Sequence, residues 1–323
     1  MTAEPFAWRD FVLRRARILA LLCAAGLLLP VACALLPAQS GGTLAWLIDL
    51  ACHWQWLYAA GLVACTLVTA LAFRWWLLLL PLAALPWFSA APRLAAAEPG
   101  TPDLVVASAN VQWQTGDVRP LARWLADEAP DVVVVIEVSP AFAQELARLA
   151  AYPHRHLVPR EDPFGIALLS RHPLLAAATV RDADGLPHIE ARIAWQGRVV
   201  SVRAAHPMPP LAAEHHLARN AKLAHWARAA AAARLPAIVA GDLNATPWST
   251  AFNELDGLGL RRTTGLAPTW PAALGGVVGI PIDHVLASPH WRLVAGGVGP
   301  DLGSDHLPVL ARLRLTLPAP AVP

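Results

Sequence analysis

The chain has 323 residues, 56% of them hydrophobic and only 15% charged, with 25 Lys and Arg against 23 Asp and Glu. Such a chain is too apolar for one ordinary soluble domain and too polar for a pure membrane bundle, so two unlike regions are averaged together. Six basic and four acidic residues precede position 102, which leaves 19 of each beyond it; a formally neutral remainder excludes the strong basic footprint of tight, non-specific duplex binding.

Residues 1–92 read as a membrane anchor. Arg9, Arg14, Arg15 and Arg17 precede an uncharged apolar run, 18–36, which as a helix meets the roughly 20 residues needed to cross a hydrocarbon core. It exceeds the apolar stretch of a signal peptide, and no Ala-x-Ala site closes it. Two further runs, 54–73 and 75–91, are separated only by Arg74 and read as a helical hairpin, joined to the first span by a loop over 37–53. The last run carries Pro81 and Pro86 and is the shortest. The Ala, Arg and Pro bias, with Lys222 the single lysine, is that of a GC-rich bacterial genome. With the arginine cluster held inside, three spans deliver the rest of the chain to the periplasmic face of a bacterial inner membrane. Trp46, Trp54, Trp56, Trp75, Trp76 and Trp87 suit interfacial anchoring. All four cysteines, Cys23, Cys33, Cys52 and Cys65, lie in this anchor, which excludes a cysteine-ligated zinc site or a disulfide framework beyond it.

A Pro/Ala-rich linker, 93–102, leads to a region of globular charge density, 103–317, followed by a tail, 318–323. Its pattern predicts a strand over 104–110, an amphipathic helix over 117–128, a doubly buried strand over 131–138, and a helix over 139–151 capped by Ser139 with Pro140 at its first position. A strand over 164–170, a hairpin of 189–195 with 199–205, a long Ala-rich helix over 211–234 and strands over 237–241, 282–287, 292–298 and 309–315 follow. Helices interposed irregularly among strands favour a two-sheet α/β sandwich over a regular βαβ repeat.

Asn110, Glu137, His206, Asp242 with Asn244, Asp283 with His284, and Asp305 with His306 sit where these strands end. Polar groups there are costly unless they bind something. Each alone has a local role open to it: a turn cap for Asn110, an arginine partner for Glu137, a core position for His206, an Asx-turn for Asp242 and Asn244, a loop cap for Asp305. Their joint occurrence, in this order, points to one site.

The blocks around them, Ala107-Ser108-Ala109-Asn110-Val111, Val135-Ile136-Glu137-Val138, Gly165 to Arg171, Gly241-Asp242-Leu243-Asn244-Ala245, Ile282 to Leu286 and Gly303 to Val309, resemble the successive motifs of the endonuclease/exonuclease/phosphatase family. The resemblance implies that family's four-layer α-β-β-α sandwich, with its site where the two sheets meet, and a membrane-anchored phosphoesterase using Mg²⁺ or Mn²⁺. Hydrolysis of a phosphate ester needs charge neutralisation, an activated water and help for the leaving oxygen. By similarity Glu137 is the principal metal ligand, with Asn110 and Asp305. Asp242 is the base, Asn244 holds the water or a phosphate oxygen, His306 meets the phosphate with Asp283 fixing its tautomer, and His206 polarises the phosphate or protonates the leaving group. Many members carry Asn-x-Asp in the first block, whereas Asn110-Val111-Gln112 offers only an amide, which favours a single ion. The expected substrate is a phosphate ester, either nucleic acid or a phospholipid head group; Trp113, Arg160, Trp248 and Trp270 are candidate wall residues and Arg171 a candidate phosphate contact. No obligate protein partner is indicated, and the alternative reading is a catalytically silent, membrane-tethered binding module on the same fold.

Overall fold

A computed structural model describes residues 8–35, 40–253, 255 and 257–316. The tail over 318–323 and the Leu36 end of the first expected span lie outside the described residues. The Val-rich run forms strand β2 (Val132–Ile136), following β1 (Leu104–Asn110) and helix α5 (Arg119–Glu128). Side chains alternate across a strand, and here both faces are apolar. Val132, Val134 and Ile136 enter the core between two sheets, while Val133 and Val135 join Leu121, Trp124 and Leu125 of α5 and Phe142 and Leu146 of α6 (Pro140–Leu146) on the outer face. Ser139 caps α6 as expected, its hydroxyl accepting from Phe142 N at 3.2 Å.

Six strands form each sheet. The first pairs β1 in parallel with β2 and antiparallel with β12 (Val309–Leu315), with β11 (Trp291–Val298) beyond; β2 in turn pairs antiparallel with β4 (Ile166–Ser170), and β3 (His154–Val158) forms the far edge. The second runs β5 (Leu174–Arg181), β6 (Pro187–Trp195), β7 (Arg198–Ala204), β8 (Ala237–Asp242), β10 (Asp283–Ala287) and β9 (Arg261–Arg262). The predicted hairpin is β6–β7, closed by Gln196 and Gly197 with φ of 47° and 70°, the paired left-handed conformation of a tight hairpin turn. Helix α7 (Ala213–Ala233) covers the outside of this sheet through Leu223, Trp226 and Ala227. The result is the expected four-layer α-β-β-α sandwich. Strands β3 and β5 carry no buried apolar alternation, which is why the sequence pattern passes over them.

Two glycines in the motif blocks let neighbouring strands of one sheet approach closely at their ends. A Cβ on Gly165 would lie 2.0 Å from Val138 O, and one on Gly241, whose φ is +148°, would lie 1.8 Å from Ala205 O. Only glycine fits either place.

The N-terminal region packs onto this sandwich. Helix α1 (Trp8–Cys33) is the one described helix long and apolar enough to cross a membrane. Helix α3 (Gln55–Ala70) has 16 residues, a span of about 24 Å against a hydrocarbon core of about 30 Å. The third apolar run is a 3-10 segment, Arg74–Ala84, continued by the short α4 (Leu85–Ser89). Part of the expected 37–53 loop is instead a helix, α2 (Thr43–Cys52), whose Asp49 is wholly buried. Its carboxylate accepts from Arg219 Nη2 at 2.7 Å, from Thr250 N at 2.6 Å and from the hydroxyls of Ser249 and Thr250, each at 2.8 Å. A short helix that buries one acidic residue carries little helical periodicity of its own; tertiary contacts decide it. Trp46 and Trp56 likewise turn toward the sandwich, their indole nitrogens donating to Pro210 O at 2.7 Å and Leu266 O at 2.9 Å. The linker is pinned along the domain by Leu94 N to Arg262 O and Ala97 N to Leu293 O, both 2.8 Å.

Candidate active site

Pairing sets the site. Parallel β1 and β2 align Asn110 with Ile136, so Glu137 is the first residue beyond the strand, and its φ of 66° turns the chain there. A non-glycine residue held in that region costs about 1–3 kcal/mol and persists where its surroundings over-determine it. Glu137 Oε1 accepts from Asn110 Nδ2 at 3.0 Å and Oε2 from Trp113 N at 3.0 Å. In the second sheet, antiparallel β8 and β10 set Asp242 opposite Asp283. Asn110 Nδ2 also lies 3.4 Å from Asp242 Oδ2, so one amide joins the ends of both sheets.

His306 arrives on the loop before β12. Ser304 Oγ donates to Asn110 O at 2.8 Å and accepts from His306 N at 3.1 Å. His306 Nδ1 stands 2.9 Å from Asp283 Oδ2, and because a carboxylate accepts, Nδ1 carries the proton. The other ring nitrogen, Nε2, is 3.8 Å from Asp242 Oδ2, while His206 Nε2 is 3.6 Å from the same oxygen. Asn244, with φ of 49°, donates its backbone N–H to Asp242 Oδ1 at 2.9 Å and its side-chain amide to Pro207 O at 3.1 Å. The Asx-turn and the site placement are therefore one arrangement.

The electrostatics divide the groups. Burial, the charge of Asp283 and, more weakly, Glu137 raise the Asp242 carboxyl to about 7, against the pull of His306. Burial works against the His306 cation, but the charge and hydrogen bond of Asp283, helped by Asp242 and Asp305, push its pKa up to about 10. Burial, then the neighbouring His306, lowers His206 to about 4. At neutral pH His306 is thus a cation and His206 a neutral imidazole.

Glu137, His206, Asp242, Asn244, Asp305 and His306 line one cavity of about 690 Å³. Three of these are carboxylates, and among the described residues no Lys or Arg lines the cavity, so the His306 cation alone is set against them and the carboxylate donors are hard oxygens that suit Mg²⁺ or Mn²⁺. The residues fit a divalent cation. Asp242, Asp283 and His306 bring ligand atoms within 4.8 Å of one another; Asp283 Oδ2 is taken up by His306 Nδ1, while its Oδ1 is buried with no hydrogen-bond partner among the described residues. Of the expected ligand set, Glu137 and Asp305 face the cavity, Asp305 Oδ2 also accepting from Trp270 Nε1 at 3.2 Å. Asn110 presents its amide nitrogen, its oxygen accepting from Gln112 N at 3.0 Å; to ligate a cation the amide must turn over.

The sequence model of the endonuclease/exonuclease/phosphatase family matches residues 107–306. The chain belongs to that family. It is accordingly a phosphoesterase by family, a group generally dependent on divalent metal. Solved structures share the fold. An endonuclease/exonuclease/phosphatase protein from Beutenbergia cavernae is 25% identical with a TM-score of 0.53, over 66% of this chain and 72% of that one. TDP2 of D. rerio, complexed with a single-strand DNA product, is 19% identical with a TM-score of 0.54, over 65% and 98%. Sphingomyelinase C from Streptomyces griseocarneus is 21% identical with a TM-score of 0.51, over 65% and 99%. No curated protein sequence matches the chain.

Within this family framework some expected wall residues lie elsewhere. Trp248 is buried against Trp56 and donates to Pro86 O at 2.9 Å. Arg160 pairs with Asp162 at 2.7 Å, and Arg171 lies over the Tyr152 ring. Trp113 reaches Glu137 through its backbone only, and Trp270 does line the cavity. His284, buried beside Asp283, is structural, its Nε2 meeting Ala245 O at 2.9 Å. Sequence reasoning missed the apolar walls: Phe164, whose ring lies 5.3 Å from that of His206, the Met208 to Leu211 segment, and Leu50, His53 and Trp54 from the N-terminal region. The Pro-rich run after His206, an irregular segment directly beyond a strand end, was the available signal.

Proposed function

We propose that the chain is a membrane-anchored, divalent-metal-dependent hydrolase of phosphodiester or phosphomonoester bonds. The observation that carries this reading is the placement of Asp242, at the edge of its titration near neutral pH, between the protonated His306–Asp283 pair and the neutral His206. A cation held by Glu137 and Asp305, with Asn110 once its amide has turned, would neutralise charge on the phosphate. Asp242 takes the proton of the attacking water, which Asn244 holds in place. His306, locked by Asp283 with Nε2 toward the cavity, donates to a phosphate oxygen and stabilises the charge that grows there. His206 donates a neutral hydrogen bond to the phosphate or the leaving oxygen. A carboxyl near pKa 7 suits general base work, whose optimum lies near the operating pH.

Anchoring rests on α1 and on the apolar surface it shares with α3 and the 3-10 segment, where Leu21, Leu22, Leu57, Leu71, Trp75 and Phe88 are exposed. The arginine cluster in the N-terminal turns of α1, Arg9 to Arg17, orients the N-terminus to the cytoplasm and the sandwich to the periplasm of a bacterial inner membrane. The test uses the full chain in detergent. Mg²⁺ or Mn²⁺ is expected to raise its melting midpoint and to permit hydrolysis of bis(p-nitrophenyl) phosphate, with chelation reversing both. Neither stabilisation nor turnover with either ion would overturn the reading and favour the silent binding module.

A further inference from the structure

The active-site cavity is only partly built by the catalytic fold. Leu50, His53 and Trp54, all N-terminal to the sandwich, line it together with Phe164, Met208 and Ile282. Leu211, at the cavity wall, is 72% exposed. A second hollow joins Trp87 of the N-terminal region to Val277, and the loop holding Val277 leaves Leu274, Val277 and Val278 exposed, 82%, 76% and 60%. Large apolar side chains are rarely displayed together on a water-facing loop. The cavity therefore has a polar floor of carboxylates and imidazoles and apolar walls, and it is shared with the region that carries the membrane helix.

His53 adds a specific polar group to those walls. It is 5% exposed, and its Nδ1 lies 2.8 Å from Asp49 O. A carbonyl only accepts, so Nδ1 is the donor, and burial keeps the ring neutral. Nε2 then bears a lone pair; it is closed off from solvent and has no hydrogen-bond partner among the described residues. A buried acceptor left unmatched costs free energy that a ligand donor recovers.

We propose that helix α2 and the following Trp54 form a substrate subsite selecting an amphiphilic phosphate ester, its hydrocarbon against Leu50 and Trp54 and a hydroxyl or amide N–H donating to His53 Nε2. This rests on the phosphoesterase reading and narrows its substrate class from phosphate esters at large to those of membrane amphiphiles.

The test compares methyl, dodecyl and 6-hydroxydodecyl p-nitrophenyl phosphate, monoanionic diesters with one common leaving group, the hydroxyl set too far along the chain to attack its own phosphorus readily, below their critical micelle concentrations, on the full chain in detergent with Mg²⁺ or Mn²⁺. The dodecyl ester is expected to exceed the methyl ester at least tenfold in kcat/KM, mostly through KM, and the hydroxyl to add a further severalfold. Trp54→Ser should lower the dodecyl-to-methyl ratio severalfold. His53→Leu should abolish the hydroxyl preference, and His53→Gln, which retains an acceptor, should keep part of it. A dodecyl-to-methyl ratio near one in the unaltered chain overturns the subsite while leaving the hydrolase standing, and so does faster cleavage of a single-stranded oligonucleotide than of either long-chain ester. Absence of turnover on every ester overturns the hydrolase reading itself.

Discussion

Replacing Asp49 by alanine leaves Arg219 as a buried, uncompensated cation. Both side chains are fully buried and 2.7 Å apart. Removing one partner of such a pair costs about 3–5 kcal/mol, largely the penalty for the stranded charge, whereas replacing both by apolar groups of similar shape is often close to neutral. Burial opposes the Asp49 charge, but Arg219, joined by His53 and His216, outweighs it and holds the carboxyl well below the usual carboxylate range. A depressed folded-state pKa contributes stability that is complete above the unfolded value of about 4 and is lost only as pH falls through the folded one. At neutral pH the full effect is therefore measured. Arg219 also donates to Asn244 O at 2.6 Å, so the same change should loosen the site. Denaturant titration of the full chain in detergent, followed by the fluorescence of its 14 tryptophans, should show Asp49→Ala losing about 4 kcal/mol and Asp49→Ala/Arg219→Met recovering most of it. A single-variant loss below about 1 kcal/mol, or a double variant worse than the single, would refute the account of this junction.

For pH dependence, kcat/KM should rise as Asp242 loses its proton around 7 and fall as His306 loses its own around 10. Added divalent cation should move the acid limb to lower pH, and Asp283→Asn should bring the alkaline limb down toward an ordinary imidazole value; stationary limbs would speak against these assignments. Gly241→Ala meets a carbonyl oxygen at 1.8 Å in a backbone region that disfavours side chains, and a loss of at least about 2 kcal/mol is expected by denaturant titration. The proposed periplasmic placement puts Cys33 and Cys52, Sγ atoms 2.9 Å apart, on the oxidising side of the membrane; mass spectrometry of unreduced, alkylated protein should find them joined and only Cys23 and Cys65 alkylated, and alkylation of Cys33 and Cys52 as well would contradict that placement.

Much of the sandwich was legible because its inner strands are buried on both faces. Val132 to Ile136, followed by Glu137, and Ala237 to Gly241, followed by Asp242, show it as continuous apolar runs that give way to a polar residue. The edge strands over 154–158 and 174–181 are half-exposed and mixed in composition, so nothing in their pattern separated them from loop. The site residues stood out because a carboxylate or imidazole at the buried end of an apolar strand is costly unless it binds something. Of the cavity's apolar walls only Trp270 was found, because Leu50, Phe164 and Ile282 look like any core residue until the chain is folded. Asp49 is the instructive case. Its cationic partner, Arg219, is 170 positions away, and no local pattern announces a junction of that separation.

In the proposed reaction Asp242 directs water onto phosphorus beside a divalent cation. Turnover of bis(p-nitrophenyl) phosphate by the full chain with Mg²⁺ or Mn²⁺ in ¹⁸O-water tests it most directly. The account predicts solvent oxygen in the p-nitrophenyl phosphate product and a fall in kcat of roughly a thousandfold or more in Asp242→Asn. Label in the p-nitrophenol, or an Asp242→Asn variant as fast as the unaltered chain, would contradict it.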